Sequence, residues 1–114
     1  MPKLLPPPVL YILLSLADEH RHGYAIMQDI RQRTGGRVVI GPGGLYTSLQ
    51  RALRDGYIRE APLRRTQQTD ARGRRVYQLT PEGRRAAQRE LARLDNIMGM
   101  ARQANLKPAT NEPS

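Results

Sequence analysis

The 114-residue sequence contains no cysteine, no tryptophan and no phenylalanine, and it has only two histidines. Without cysteine the chain forms no disulfide, and it offers no thiol nucleophile and no thiolate ligand for a metal. The two histidines, His20 and His22, have no cluster of carboxylates with which to build a metal site or a nucleophile with its base. These absences speak against an enzyme, and we expect neither a cofactor nor a metal.

Long hydrophobic runs are also missing. The longest run, residues 9–17, is about half of the roughly 20 residues that a membrane-spanning helix needs. A secretory signal is not expected either, because three prolines interrupt the approach to this run and Asp18, Glu19 and His20 follow it. The sequence therefore favours a cytoplasmic protein that has no membrane partner.

Acidic residues are few compared with basic ones. Ten Asp and Glu stand against nineteen Lys and Arg, which gives a formal net charge of +9. Such an excess predicts a polyanionic partner, either nucleic acid or an anionic membrane surface. The weak case for a membrane favours nucleic acid, and the length suits one compact domain.

Hydrophobic spacing and turn residues divide the chain into four helices and one hairpin. Residues 1–8 are predicted to be an irregular arm, because three consecutive prolines cannot enter the interior of a helix. We predict helices at residues 9–17, 23–34, 42–56 and 80–105, strands at 57–63 and 74–79, and a strand or extended connection at 37–40. Residues 106–114 are predicted to be a disordered tail.

Local signals also mark the inner face and the ends of these helices. Gly56 should end the third helix. Thr80 should cap the fourth helix and Pro81 should be its first residue, although Gly83 stands where a capping box needs Glu or Gln. The residues that should face inward from the second helix are Ile26, Met27 and Ile30.

The third predicted helix has two faces of different character. Its apolar face recurs at spacings of three and four, and should pack inward: Leu45, Leu49, Ala52 and Leu53. The opposite face is polar and consists of Tyr46, Thr47, Gln50, Arg51 and Arg54. In a DNA major groove, Arg pairs with guanine edges and Gln with adenine edges. An ordinary amphipathic surface helix would show the same two faces, so the neighbouring segments must decide.

The loop between the two predicted strands is rich in arginine. The tip of this hairpin carries Arg64, Arg65, Arg72, Arg74 and Arg75 against a single Asp70. Beside a polar third helix, such a loop is typical of a wing that contacts the phosphate backbone, although a solvated loop is the alternative. The order of elements indicates an α+β fold: a winged helix-turn-helix over residues 9–80, followed by a long C-terminal helix.

The last predicted helix carries a narrow apolar stripe. Spacings of four and three, as at the a and d positions of a coiled coil, join Ala87, Leu91, Leu94, Met98 and Ala101, and Ile97 lies beside them. The alternative is packing on the helix's own domain, but a chain of this size has little further core to cover. The stripe therefore predicts a homodimer through residues 81–105, with the first apolar helix as a further contact surface.

Four stretches in this order resemble the PadR family of bacterial transcriptional regulators. They are HGYAIMQDI from His22, IGPGGLYTSLQRALRDGYI from Ile40, RRVYQLTPEGRRA from Arg74, and the single helix that follows. The resemblance implies a winged helix and a homodimeric repressor that reads an inverted repeat in double-stranded DNA, with release by a small-molecule effector in many members. With one C-terminal helix, the chain is similar to the short-tailed subgroup. Some of those relatives stack flat aromatic compounds on Trp, a mode not expected in a chain that lacks both Trp and Phe.

The helix pattern and the resemblance together assign the DNA contacts. Base readout falls to Thr47, Gln50 and Arg51. Backbone contacts fall to Tyr24, Ser48, Arg54 and the wing residues Arg72, Arg74 and Arg75, and Tyr46 is expected at a phosphate or a base edge. Gly43 and Gly44 would let the helix N-terminus approach a phosphate. Family members commonly have Thr or Ser where this chain has Gly44.

Two other functions would suit parts of this pattern. One is sequence-independent nucleic-acid binding, driven by charge alone. The other is a winged-helix module that binds protein instead of DNA. The front of the third helix separates sequence-specific binding from binding by charge alone. Gln50→Ala and Arg51→Ala change the sequence preference only if this helix reads bases.

Overall fold

Four helices and three short strands make up residues 4–61 and 75–109, the part of the chain that the computed structural model describes. In chain order they are α1 Pro7–Ser15, β1 Arg21–His22, α2 Gly23–Arg33, α3 Pro42–Arg54, β2 Ile58–Glu60, β3 Val76–Leu79 and α4 Pro81–Gln103. Three helices, a hairpin and a final long helix follow one another as in a winged helix, which confirms the predicted α+β fold.

Helix α1 lies at the centre of the molecule. Ile12 and Leu13 are completely buried, and the helix packs against α2, α3 and α4. It begins at Pro7, two residues before the predicted start, because the first turn of a helix needs no backbone donor and tolerates proline. Leu5, in the segment predicted to be an irregular arm, is buried in the core. Most of α1 therefore packs within its own protomer, while Leu10, Tyr11 and Leu14 stay partly exposed. A contact between α1 and a partner stays a prediction.

Helices α2 and α3 form the helix-turn-helix, and both bury the faces that the sequence predicts. The buried residues are Ile26 and Ile30 from α2, and Leu45, Leu49 and Ala52 from α3. Residues 37–40 are an extended connection and not a strand. The turn is held by Thr34, whose hydroxyl donates to the Ile30 carbonyl at 2.8 Å and accepts from the Val38 amide at 3.0 Å.

The sheet has the strand order β1-β3-β2, and both pairings are antiparallel. Ile58 lies opposite Leu79 and Glu60 opposite Tyr77, while His22 pairs with Val76 on the other side of β3. The sequence did not predict β1, because two residues are too few to show an alternating pattern. Most of the predicted arginine-rich loop, within residues 62–74, lies outside the described part of the chain.

Helix α4 begins and ends with recognisable caps. The Thr80 hydroxyl accepts from the Gly83 amide at 3.0 Å, and Pro81 occupies the first helical position, as predicted. At the other end, Asn105 adopts a left-handed φ of 58°, and the Leu106 amide donates to the Ala101 carbonyl at 2.8 Å. Residues 110–114 of the predicted tail lie outside the described residues.

Candidate nucleic-acid interface

The front of α3 gathers five of the predicted site residues on one exposed surface. These residues line a shallow, open depression of about 660 Å³ and are Tyr46, Thr47, Gln50, Arg51 and Arg54. Tyr46 has 65% of its surface exposed, and Arg51 is half-buried. Because the opposite face of α3 is anchored in the core, these side chains are presented outward from a rigid helix.

Thr47 and Ser48 differ in what they can offer to a ligand. The Thr47 hydroxyl donates to the Gly43 carbonyl one turn earlier, at 3.1 Å. Its oxygen can still accept a hydrogen bond, and its methyl group can contact an apolar group such as the thymine methyl. Ser48 is half-buried beside the front, at the edge of this surface.

The N-terminus of α3 is built from glycine and proline and has no side-chain cap. Gly41 is the N-cap residue, and no side chain hydrogen-bonds to the first turn from that position. A Cβ atom placed on Gly43 would meet no other atom within 4 Å, and on Gly44 it would meet only the Ile40 side chain, at 3.7 Å. The first turn of α3 therefore has open space beside Gly43 and Gly44 and no side-chain cap. The positive end of a helix dipole suits an anion such as phosphate.

Tyr24 lies at the start of α2 and is exposed. Its ring is stacked with the His22 ring, with the centroids 6.5 Å apart. His22 caps α2, because its Nδ1 atom accepts a hydrogen bond from the Ala25 amide at 3.1 Å. No pattern in the sequence predicts this capping role of His22, which depends on the extended conformation of the residue before α2.

The base of the wing carries an exposed ion pair. The Arg75 Nη1 atom lies 2.6 Å from a carboxylate oxygen of Glu60. Glu60 pairs with Tyr77 across the strands, and burial, together with the negative charge of Glu60, raises the pKa of the Tyr77 hydroxyl. Tyr46 of α3 also influences Tyr77 electrostatically, so this end of the hairpin lies beside α3. The predicted wing residues Arg72 and Arg74 lie outside the described residues, as do Arg64 and Arg65.

A polar network that the sequence analysis missed fixes α2 against the end of α1. The Asp29 carboxylate accepts from the Ser15 hydroxyl at 2.7 Å and from Arg33 Nε at 2.9 Å, and this contact raises the pKa of the Arg33 guanidinium. Arg21 donates to the Ser15 carbonyl at 2.9 Å and lies 3.7 Å from Asp29. No spacing in the sequence signals this network, because its members come from three different elements.

The second half of α4 exposes the apolar stripe predicted for dimerisation. Between 37% and 47% of the surface remains exposed at Leu91, Leu94, Ile97 and Met98, and Ala101 is half-buried. Ala87 was assigned to this stripe incorrectly. It is 6% exposed and belongs to the core cluster of its own protomer.

Glu90 is the one carboxylate among the buried polar groups of residues 4–61 and 75–109, with 6% of its surface exposed. Arg93 Nη2 donates to its Oε2 atom at 3.1 Å, one turn further along α4. This hydrogen bond lowers the pKa of Glu90 in spite of the burial that opposes it. The pair therefore keeps a charged group inside the molecule at neutral pH.

The described part of the chain contains neither a metal-binding cluster nor a membrane-spanning helix. No group of three or more His, Asp or Glu side chains in residues 4–61 and 75–109 could hold a metal ion. No helix in those residues is both long enough and apolar enough to cross a bilayer.

Residues 12–89 match the sequence profile of the "Transcriptional regulator PadR-like family". The chain belongs to the PadR family. It is 36% identical over 88 residues to Transcriptional regulator Rv3488 of Mycobacterium tuberculosis, an alignment that covers 77% of this chain and 76% of that protein. We therefore describe it as a PadR-family transcriptional regulator.

Two further proteins are similar to this chain. An uncharacterised 37.1 kDa protein in transposon TN4556 of Streptomyces fradiae is 37% identical over 91 residues, which cover 79% of this chain. The chain spans only 24% of the length of that protein. A solved PadR-family transcription regulator from Clostridium difficile R20291 superimposes with a TM-score of 0.70 at 22% identity, covering 86% of this chain and 97% of that one. At this identity the superposition shows the shared fold.

Proposed function

We propose that this PadR-family regulator is a homodimeric, sequence-specific DNA-binding repressor that acts in the cytoplasm on an inverted-repeat operator. The observation that carries the proposal is the front of α3, where Gln50, Arg51 and Thr47 are held outward by a buried apolar face. A helix of this kind fits the DNA major groove.

Base recognition is assigned to the middle of α3. Gln50 can pair bidentately with adenine and Arg51 with guanine, and each good pair contributes about 1–3 kcal/mol of discrimination against a wrong base. The Thr47 hydroxyl oxygen accepts a hydrogen bond, or its methyl group contacts thymine. These three residues give the regulator its sequence preference.

Backbone contacts are assigned to the residues around this helix. Arg54 and Ser48 flank the reading surface, Tyr24 approaches from α2, and Arg75 approaches from the wing together with Arg72 and Arg74. Gly43 and Gly44 let the α3 N-terminus come close to a phosphate. Such contacts fix the register of the protein on DNA without reading the sequence, and they make affinity fall with salt.

Dimerisation is assigned to the exposed stripe of α4. A second copy would cover Leu91, Leu94 and Met98 on both chains through a two-fold axis. Two α3 helices then reach half-sites about one helical turn of DNA apart. The family resemblance supports release by a small-molecule effector, and Met98 and Met100 give this region adaptable side chains.

The test is fluorescence anisotropy on DNA from upstream of the protein's own gene, against a scrambled duplex at near-physiological salt. We expect a preference of about a thousandfold or more. Equal, salt-sensitive binding to both duplexes would favour charge-driven binding, and no binding to either would favour the protein-interaction module.

A matched pair of double variants sharpens this test. Gln50→Ala with Arg51→Ala removes a glutamine and an arginine from the front of α3. Gln88→Ala with Arg89→Ala removes the same two side chains from an exposed position on α4. We expect only the α3 variant to lose the preference for the operator, because both variants carry the same net charge. Equal losses would show that α3 does not read bases.

A further inference from the structure

The C-terminal cap of α3 and the N-terminal cap of α4 are bonded to each other. Helix α3 ends at Arg54, and Gly56, just beyond its C-cap residue Asp55, adopts a left-handed φ of 77°. The next residue, Tyr57, donates its amide to the Ala52 carbonyl at 2.9 Å. This arrangement satisfies the last carbonyl groups of α3. It also directs the carbonyl groups of Gly56 and Tyr57 towards the start of α4.

Thr80 donates a hydrogen bond to each of these two carbonyl groups. Its hydroxyl donates to the Gly56 carbonyl at 2.6 Å, and its backbone amide donates to the Tyr57 carbonyl at 3.0 Å. The same hydroxyl oxygen accepts from the Gly83 amide at 3.0 Å, which caps α4. One threonine side chain therefore joins the end of α3 to the first turn of α4.

Gly83 completes this junction, which we define as Gly56, Tyr57, Thr80 and Gly83. A Cβ atom at Gly83 would lie 2.0 Å from the Tyr57 carbonyl oxygen and 2.8 Å from the Leu79 side chain. The backbone of α4 thus rests directly on the peptide that follows α3. Gly83 has no side chain to separate the two backbones, so we expect a change in the direction of α4 to be passed on to the end of α3.

We propose that Thr80 and Gly83 are positioning residues that set the distance between the two α3 helices of the dimer, and so select the spacing of the half-sites. The inference rests on the proposed function, in which α4 joins two copies and α3 reads DNA. Leu91, the first exposed member of the α4 stripe, follows Gly83 by eight residues, or about 12 Å of helix.

A small rotation at the junction is enough to matter. A tilt of about 15° over that length of about 12 Å displaces one end by about 3 Å. One base pair adds about 3.4 Å of rise and about 35° of rotation between half-sites. A loosened junction would therefore let the dimer accept operators that differ by one base pair in spacing.

The first experiment measures the affinity for operators whose half-sites are moved together or apart by one and two base pairs. We expect the affinity of the wild type to fall about tenfold for each base pair by which the spacing changes. The affinity of Thr80→Val should fall less than about threefold, because valine cannot form a hydrogen bond with the Gly56 carbonyl and the junction is loosened. Thr80→Ser keeps the hydroxyl and should restore the wild-type profile. The control is Thr34→Val, which removes a threonine hydroxyl that bonds backbone groups at the end of α2. An unchanged profile in Thr80→Val would overturn the inference.

The second experiment needs no DNA. Because the chain has no cysteine, Gln50→Cys provides a single site for a spin label on α3. The distance between the two labels of a dimer should have a narrow distribution with Thr80 or Thr80→Ser, and a broader one with Thr80→Val. Equal widths would overturn the inference.

The two experiments separate failure of the inference from failure of the proposed function. A wild type that prefers no operator would contradict sequence-specific binding, while the label distances would still decide whether the junction fixes α3. If no distance between two labels can be measured in the protein with wild-type Thr80, the chain does not form a dimer, and both the dimer and the inference are contradicted. Gly83→Ala is kept out of both experiments because its added Cβ is expected to disturb folding.

Discussion

The starts of α3 and α4 look alike in the sequence but meet different surroundings in the structure. Each helix has proline at its first position and glycine at its third, Gly44 in α3 and Gly83 in α4. A Cβ atom at Gly83 would lie 2.0 Å from the Tyr57 carbonyl oxygen, whereas at Gly44 its nearest neighbour would be 3.7 Å away. The fold itself requires Gly83. No contact within the described part of the chain requires glycine at position 44.

The caps of the two helices show the same contrast. Thr80 closes the start of α4 with its own hydroxyl, while Gly41 gives the start of α3 no side-chain cap. Uncapped amide groups at a helix N-terminus are available to a bound anion. The capped N-terminus of α4 thus serves packing within the protein, whereas the uncapped N-terminus of α3 suits a bound anion.

The largest effect is expected from Gly83→Ala. We expect it to lower the free energy of unfolding by about 3 kcal/mol, because the added methyl group must push α4 away from Tyr57. Urea denaturation followed by circular dichroism measures this loss. Gly99→Ala, in the same helix with room for a Cβ atom, is the control and should stabilise by up to about 1 kcal/mol. Equal stability of the two variants would remove the contrast between the helix starts.

Gly44→Ala should separate folding from binding. Alanine favours a helix over glycine by about 0.5–1 kcal/mol, so the free energy of unfolding should rise. Affinity for DNA should fall about tenfold, because the methyl group stands between the α3 N-terminus and a phosphate. Denaturation and anisotropy measure the two quantities on the same preparation. A variant that gains stability and keeps its full affinity would show that no phosphate approaches Gly44.

Glu60→Gln tests whether charge governs the open side of the molecule. Removing the carboxylate releases Arg75 for phosphate, so affinity for operator and scrambled DNA should rise about threefold. The matched control is Glu82→Gln, which breaks an exposed ion pair with Arg85 on α4. This control removes the same charge away from the base of the wing, because five residues of extended chain, about 17 Å, separate Arg75 from the start of α4. Equal gains in both variants would mean that only net charge matters.

The smallest effect is expected at acid pH. Because the pKa of Glu90 is lowered in the folded chain, its contribution to stability is present above its ordinary pKa and is lost as the pH falls through the folded value. In Glu90→Gln, the free energy of unfolding should therefore fall less between about pH 5 and pH 3 than it does in the wild type, as measured by urea midpoints. The first turn of α3 holds no acidic residue and should not add to this loss. An unchanged acid profile would contradict a role for the Glu90–Arg93 pair.

Local signals in the sequence predicted much of the fold. The apolar spacing of Leu45 and Leu49, the cap at Thr80 and the stop at Gly56 each act within one helix, and each is confirmed by the structure. The spacing also predicted the polar front of α3. The DNA contacts and the dimer remain predictions, because each concerns a partner of this chain.

Features that depend on distant residues were missed or placed incorrectly. Strand β1 exists only because it pairs with β3, more than fifty residues later. Ala87 continues the spacing of the α4 stripe, but it is buried in the core of its own protomer. Glycine at position 83 looked like a missing capping box, and only the contact with Tyr57 explains it. Periodicity reports which face of a helix is apolar and does not report what covers that face.

The central position of α1 has a consequence for synthesis on the ribosome. Its completely buried residues, Ile12 and Leu13, emerge early, while α4, which packs against the same helix, follows about seventy residues later. At about 5–20 residues per second, α1 stays incompletely covered for about 4–15 s. During that interval an almost entirely apolar helix is open to chaperones and to neighbouring nascent chains.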